Sequence, residues 1–354
     1  MSSSSYRRKN ATPSLLSCGL HYGQAASFFI LALSGLTQSF FAWPVRHFRQ
    51  WRWEHMWVAQ SVTASIFLPL LWAALLPLSF WQTAAGIQGH RLLGLFVWGI
   101  AWGIGGVAYG LALTALGASF AYSFVFGIAT LAGALLPLFF GTVPRPAHSF
   151  SFAAGLLICL VSTAGSARLA SAGDEMQSAM PIPMRVASFE KGLLLGAVAG
   201  VLSATYGLAF SFEFHAVEIL LRAGFSSMLT PILLVLPLYL GAASFAIPFG
   251  LLCAVRSQSL HLFWSKYPLR NWCLALLMGL CGTGGIFVYG VGSTWKPHLP
   301  PNVSFGVFMS FLVLGGNLIG VAERRVSGRL MAGRVLLVAV IIGLIGGAWL
   351  LHLS

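Results

Sequence analysis

An all-α integral membrane protein, with ten transmembrane helices in two inverted five-helix repeats, is the fold class this sequence predicts. Three observations lead there. Hydrophobic residues make up 58% of the 354 and charged residues only 8%, with a mean hydropathy of +0.85, whereas about a quarter of a soluble domain is charged. Apolar runs of about 20 residues, the length that spans hydrocarbon as a helix, recur ten times. Finally, residues 99–110 (GIAWGIGGVAYG) and 279–290 (GLCGTGGIFVYG) share a glycine at each end, an internal glycine (Gly105, Gly285) and a tyrosine before the last glycine (Tyr109, Tyr289). A short loop later, each is followed by a Ser-Phe pair, Ser119-Phe120 and Ser304-Phe305, that opens another apolar run. The copies are offset by five hydrophobic segments, and a unit with an odd number of crossings must lie upside down relative to its partner.

The expected segments cover residues 23–43, 54–78, 91–116, 118–140, 150–170, 191–212, 228–255, 271–292, 303–322 and 330–351. A polar tail, 1–22, comes first; Arg7, Arg8 and Lys9 are followed by no apolar core, so it does not read as a secretory signal. Segment one contains Gln38. Segment two starts at Glu54, just after Trp51 and Trp53, which read as interfacial anchors. Segments three and four hold Trp102, Tyr109 and Tyr122. After segment five comes the one long polar gap, 171–189, with Asp174, Glu175, Pro181 and Pro183. It is the natural linker between a first repeat, 23–170, and a second, 190–354. Segment six carries Tyr206, segment eight Tyr289 and segment nine Asn317. Prolines inside segments (Pro69, Pro137, Pro231, Pro237, Pro248) release backbone carbonyls and permit kinks. Glycine, 40 residues in all and concentrated in segments three, four, eight and nine, lets helix backbones approach closely.

The net charge of +13 would suggest nucleic acid binding in a soluble domain. Here the basic residues sit in the short gaps between apolar runs, which excludes that reading. Thirteen of the twenty Lys and Arg lie in the gaps after segments one, three, five, seven and nine or within a few residues of them. That asymmetry predicts a cytoplasmic linker and both termini on the periplasmic side, with the basic N-terminal tail arguing the other way. The five cysteines are scattered singly, so neither a disulfide framework nor a zinc site follows.

Inverted repeats are the usual build of secondary transporters, with substrate held near the midplane. Polar and aromatic residues inside segments are the candidate substrate contacts: Gln38, Trp102, Tyr109, Tyr122, Tyr206, Tyr289 and Asn317. Trp102 and Tyr109, seven apart, share a helix face. Aromatic faces that meet C–H groups, beside amide and phenol hydrogen bonds, suit a neutral hydroxylated ligand, and no Lys or Arg sits clearly inside a segment, away from its ends, to balance a charged one. Glu213, His215 and Glu218, at the far end of segment six, form the only ionisable cluster off the basic side, and are the candidates for proton exchange. His215 and Glu218 alone make a poor metal site. No cofactor is expected.

The run WRWEHMWVAQSVTASIFLPLLWA (51–73), the run WGIAWGIGGVAYGLALTALGASFAYSFVFGIATLAGALLPL (98–138) and KGLLLGAVAGVLSATYGLAFSF (191–212) resemble the L-rhamnose/proton symporter family of the drug/metabolite transporter superfamily. The similarity extends from about His21 through nearly all ten segments. It implies a ten-helix carrier importing a deoxysugar with a proton across a bacterial inner membrane. The matching motif positions are Trp51, Trp53, Glu54, Trp102, Gly103, Gly105, Tyr109 and Gly110. The chain departs from the family's pattern at Gly106 and Thr114, around Glu213, and at Pro300-Pro301-Asn302. A related sugar or another small metabolite therefore stays open.

Two other readings are carried beside the importer. One is an uncoupled facilitator or exporter of a small metabolite. The other is a membrane-embedded enzyme, which would need acids, histidines or a metal set converging at membrane depth; the sequence offers only the cluster at one helix end.

Overall fold

The computed structural model describes residues 13–87, 89–116, 118–143, 145–146, 148–171, 188–264, 266–295, 299–322 and 331–353. Most of the linker and the start of the polar tail lie outside these. Ten helices among the described residues are long and apolar enough to cross a bilayer: α1 (Gln24–Val45), α2 (Trp53–Ala74), α3 (Gly89–Ala112), α4 (Ala121–Phe139), α5 (Ser149–Ser166), α6 (Phe189–Phe212), α7 (Ile232–Arg256), α8 (Pro268–Thr294), α9 (Pro301–Ile319) and α10 (Val335–His352). The chain is an all-helical, multi-pass membrane protein. Helical structure in the first element begins earlier than its apolar part, at Pro13.

Three of these helices lose regular α geometry midway, each for a local reason. In α1 the α-helix ends at Ser39 and continues as a 3-10 turn, Phe40–His47, that contains Pro44; Ser39 Oγ donates to the carbonyl of Leu36 at 2.6 Å, a back-bond that bends helices. In α2 a π turn, Thr63–Phe67, immediately precedes Pro69. Proline has no N–H for the carbonyl four residues back and clashes with it, so the helix widens there. In α6 the regular helix stops at Ser203 and resumes at Thr205, whose hydroxyl donates to the Leu202 carbonyl at 2.6 Å.

Packing follows a pattern that repeats five helices on. The pair α3/α6 has its counterpart in α8/α1, α1/α9 in α6/α4, α3/α7 in α8/α2, and α4/α5 in α9/α10, while α2/α7, α4/α9 and α5/α10 map onto themselves. The two glycine-rich stretches show it residue by residue. Gly99 lies against Leu238 and Gly241 of α7, and Gly279 against Thr63 and Ala64 of α2. Gly105 abuts Leu202 of α6, and Gly285 abuts Gln38 of α1. Gly110 faces Trp53 at the start of α2, and Gly290 faces Pro231 just before α7. At Gly99 and Gly241 the backbones touch so closely that a Cβ on either would run into a carbonyl oxygen of the other helix. Outward-facing positions such as Phe29, Phe139, Phe150 and Leu194 are exposed, as lipid contact requires.

Trp51 and Trp53 differ from expectation. At 3% and 5% exposure they are core residues rather than interfacial anchors. Trp51 Nε1 donates to the carbonyl of Leu262 at 2.8 Å, and Trp53 stacks on Trp57 with ring centroids 5.2 Å apart. The connection between α7 and α8 folds over Trp51, whose ring meets Phe263 at 5.7 Å, while Trp53 packs among Trp57, Val107 and Ala246, contacts that sequence spacing does not reveal.

Candidate functional site

The helix interruptions at Ser39, 63–67 and Ser203 surround one cavity of about 150 Å³, large against the ~10–15 Å³ that admits a single water. Side chains from eight helices line it; α5 and α10, packed on each other, do not contribute. Helix α1 supplies Gln38, Ser39 and Phe41, and α2 supplies Trp57, Gln60, Ser61, Ala64 and Ser65. From α3 come Trp102, Gly103, Gly106 and Tyr109, a single face of that helix. Tyr122 and Phe126 of α4, Ser203 and Tyr206 of α6, Tyr239 of α7, Thr283 of α8 and Phe308 of α9 close the ring.

Aromatic rings form two of its boundaries. Toward the loops that follow α6 and α8, Tyr206 packs on Tyr289, Phe305 and Phe308 with centroids 5.7, 5.2 and 6.0 Å away. Toward the side of the central linker, the cavity ends at Trp57, backed by the stacked ring of Trp53. Between these layers Trp102 stands edge to face with Tyr239 at 4.9 Å. Tyr122 donates to the carbonyl of Leu312 at 3.2 Å, and Thr283 to that of Ala64 at 2.8 Å.

No Lys, Arg, His, Asp or Glu is among the lining residues. Three lining residues carry a buried polar atom with no protein partner: Gln38 Oε1, Trp57 Nε1 and Tyr206 Oη. Orphaned buried polar atoms are costly, and a bound molecule or water must meet them. Chemically, the cavity offers flat apolar faces and uncharged donors and acceptors.

Of the residues the sequence singled out, Gln38, Trp102, Tyr109, Tyr122 and Tyr206 meet around this cavity. Tyr289 lies one layer behind, fully buried against Tyr206, Phe210 and Phe308. Asn317 points elsewhere: its Nδ2 donates to Ser166 Oγ of α5 at 2.8 Å. Glu213, His215 and Glu218 sit past the end of α6, around a short helix, Phe214–Arg222. Arg91 donates to Glu213 at 3.2 Å, and Glu218 pairs with Arg222 at 3.0 Å and with His215 at 3.6 Å. None of the three lines the cavity.

Sequence reasoning missed Trp57, Gln60, Ser61, Ser65, Ser203, Tyr239 and Thr283. A usable signal existed in α2: Trp57, Ser61 and Ser65 recur every four residues, one polar stripe inside an apolar run. Glu54, named in the sequence only as a motif position at the start of segment two, has no exposed surface.

A family model described as L-rhamnose-proton symport protein (RhaT) matches residues 26–350. The chain belongs to the L-rhamnose-proton symporter family. Two relatives named L-rhamnose-proton symporter, from Salmonella paratyphi A and Salmonella gallinarum, are each 30% identical over 298 residues, covering 81% of this chain and 86% of the relative. A solved crystal structure aligns with TM-score 0.56 at 18% identity, covering 92% of this chain and 96% of its own, a likeness of fold alone. The symporter family consists of transporters rather than enzymes, and its match spans both halves and every helix that lines the cavity.

Proposed function

We propose that this chain imports a neutral deoxysugar, L-rhamnose, together with a proton, by alternating access across a bacterial inner membrane. The observation that carries the reading is the uncharged, aromatic-walled cavity at the helix interruptions, since discontinuous helices near the midplane are where secondary transporters hold substrate. Sugar rings present C–H faces to aromatic side chains and hydroxyls to amides and phenols. Gln38, Trp102, Tyr109, Tyr122 and Tyr206 are the proposed contacts, with Tyr289 supporting Tyr206 from behind and Asn317 holding α9 to α5. The family membership and the names of the Salmonella relatives support the substrate and the proton.

The pairing of helices that recurs five positions on supports two inverted repeats, 23–170 and 190–354, that rock about the cavity. The excess of Lys and Arg in alternate gaps supports a cytoplasmic linker, 171–189, with both termini periplasmic. Glu213, His215 and Glu218 then face the periplasm, where the Arg91–Glu213 ion pair joins α3 to the end of α6.

A second reading, an uncoupled facilitator or exporter of another small metabolite, is favoured by one feature: no carboxyl or imidazole lines the cavity. Uptake of labelled L-rhamnose in cells lacking their own carrier, with and without a protonophore, separates the two. Accumulation that collapses with the protonophore supports symport; uptake that only equilibrates supports the facilitator; no uptake removes L-rhamnose as the substrate.

A further inference from the structure

Glu54 is the one carboxyl among the described residues with zero exposure, and it lies on the linker side of the cavity. It is three residues before Trp57 on α2, so the two share a face, and Trp57 lines the cavity. Glu54 Oε1 accepts hydrogen bonds from Ser257 Oγ and Ser259 Oγ, both at 3.0 Å, and those hydroxyls are 2.8 Å from each other. Glu54 Oε2 is buried with no partner.

The described groups around Glu54 give it hydrogen bonds but no ion pair. His55 accepts the Arg52 backbone N–H at Nδ1, 3.3 Å, so its Nε2 carries the proton donated to the Ser259 carbonyl at 2.8 Å. That is the neutral imidazole. Glu54 acts electrostatically on His55 and on Cys253 of α7, and Arg52 before α2 and Arg256 of α7 act on the same two groups. Among the described residues neither arginine forms an ion pair with Glu54. Burying a carboxylate without a counter-charge is costly, and a sealed carboxyl exchanges protons only when water reaches it.

The loop that donates to Glu54 is itself held in an uncommon conformation. Gln258, between the two serines, has φ of 52°, the left-handed region that residues other than glycine seldom enter. Such a conformation persists where surrounding contacts impose it, and here it aims Ser257 and Ser259 at one carboxylate oxygen. The loop joins α7 to α8, both of which move against α2 if the halves rock.

We propose that Glu54 is the proton-exchanging group of the symport, with the Ser257-Gln258-Ser259 loop as the element that opens and closes it to water. One proton from water that enters the cavity from the opposite side of the membrane adds to the carboxylate, giving a neutral acid while the loop is closed; the same proton leaves to water on the linker side when the loop lifts, regenerating the carboxylate. The inference rests on the sugar/proton reading above. Glu213, at 14% side-chain exposure beside Arg91, stays within reach of solvent and lacks such a shutter.

The test uses purified full-length protein in proteoliposomes. Wild type, Glu54→Gln and Glu213→Gln are compared in proton-driven accumulation of labelled L-rhamnose, in sugar-induced proton uptake and in sugar counterflow, which needs no net proton movement. Glu54→Gln is expected to keep counterflow within about threefold while accumulation falls to equilibrium and proton uptake disappears; Glu213→Gln is expected to keep all three. Glu54→Gln that still accumulates sugar overturns the assignment, and a Glu213→Gln that uncouples transfers it to the end of α6. If Glu54→Gln loses counterflow too, Glu54→Asp decides: restored coupled uptake supports the carboxyl, and no restoration overturns it. A wild type with neither accumulation nor counterflow overturns the sugar reading and this inference with it.

Discussion

Replacing Tyr206 by Phe should move stability and affinity in opposite directions. Tyr206 is 3% exposed, and its ring packs on Trp102, Tyr289 and Phe305 at 5.8, 5.7 and 5.2 Å. Its Oη is buried with no protein partner. A buried hydroxyl left unsatisfied costs about 1–3 kcal/mol. Tyr206→Phe deletes that atom and keeps every ring contact, so the sugar-free protein should gain up to ~1–3 kcal/mol, less a small packing loss. Once a sugar hydroxyl bonds to Oη, the variant forgoes a net ~0.5–1.5 kcal/mol, which raises KM about 2- to 13-fold. Thermal unfolding in detergent, with and without L-rhamnose, reads the first effect and uptake kinetics the second. The melting temperature without sugar should rise, and the extra stabilisation by sugar should shrink. A lower melting temperature without sugar, together with an unchanged KM, would refute the reasoning, because it would mean the hydroxyl has a structural partner and no part in binding.

Two glycines one turn apart on α3 should respond differently. A Cβ at Gly106 would lie 3.3 Å from the Trp57 ring with nothing else but that ring near it, so Gly106→Val fills cavity space; uptake should drop more than tenfold while the melting temperature holds. A Cβ at Gly103 would lie 2.6 Å from the Ala242 carbonyl oxygen, so Gly103→Ala pushes α3 off α7 and should cost about 1–3 kcal/mol in an unfolding assay. Asn317→Ala removes an interhelical hydrogen bond far from the cavity; it should cost ~0.6–1.7 kcal/mol and leave KM unchanged. Trp51→Ala, in a core rather than an interfacial setting, should destabilise by about 3–5 kcal/mol, whereas an interfacial anchor would tolerate it.

Ten helices were legible from hydropathy alone because each must bury about 20 apolar residues in hydrocarbon whatever its neighbours do. The glycine-rich duplication was legible for a related reason: close backbone approach admits only the smallest residue, so Gly99, Gly105 and their counterparts mark helix crossings in the sequence itself. A helix interruption was readable at Pro69 but not at Ser203, where a side-chain back-bond and packing on α3 do the work. Among the site residues, Gln38, Trp102, Tyr109, Tyr122 and Tyr206 stood out as polar or aromatic groups within apolar runs. Trp51 and Trp53 were misread, because a tryptophan beside a basic gap looks the same whether it meets lipid headgroups or a loop folded back over it.

By itself, then, the sequence determined what the bilayer enforces on each segment separately: an all-helical chain, ten crossings, two glycine-rich crossings in corresponding places, and an interior without basic residues. Which side chains share the cavity, which tyrosine drops behind it and which glutamate is sealed were decided only by tertiary structure. Burial of a residue such as Glu54 depends on atoms contributed by Ser257 and Ser259 some two hundred positions away, and hydropathy, being a sum over neighbours in the chain, carries no record of them.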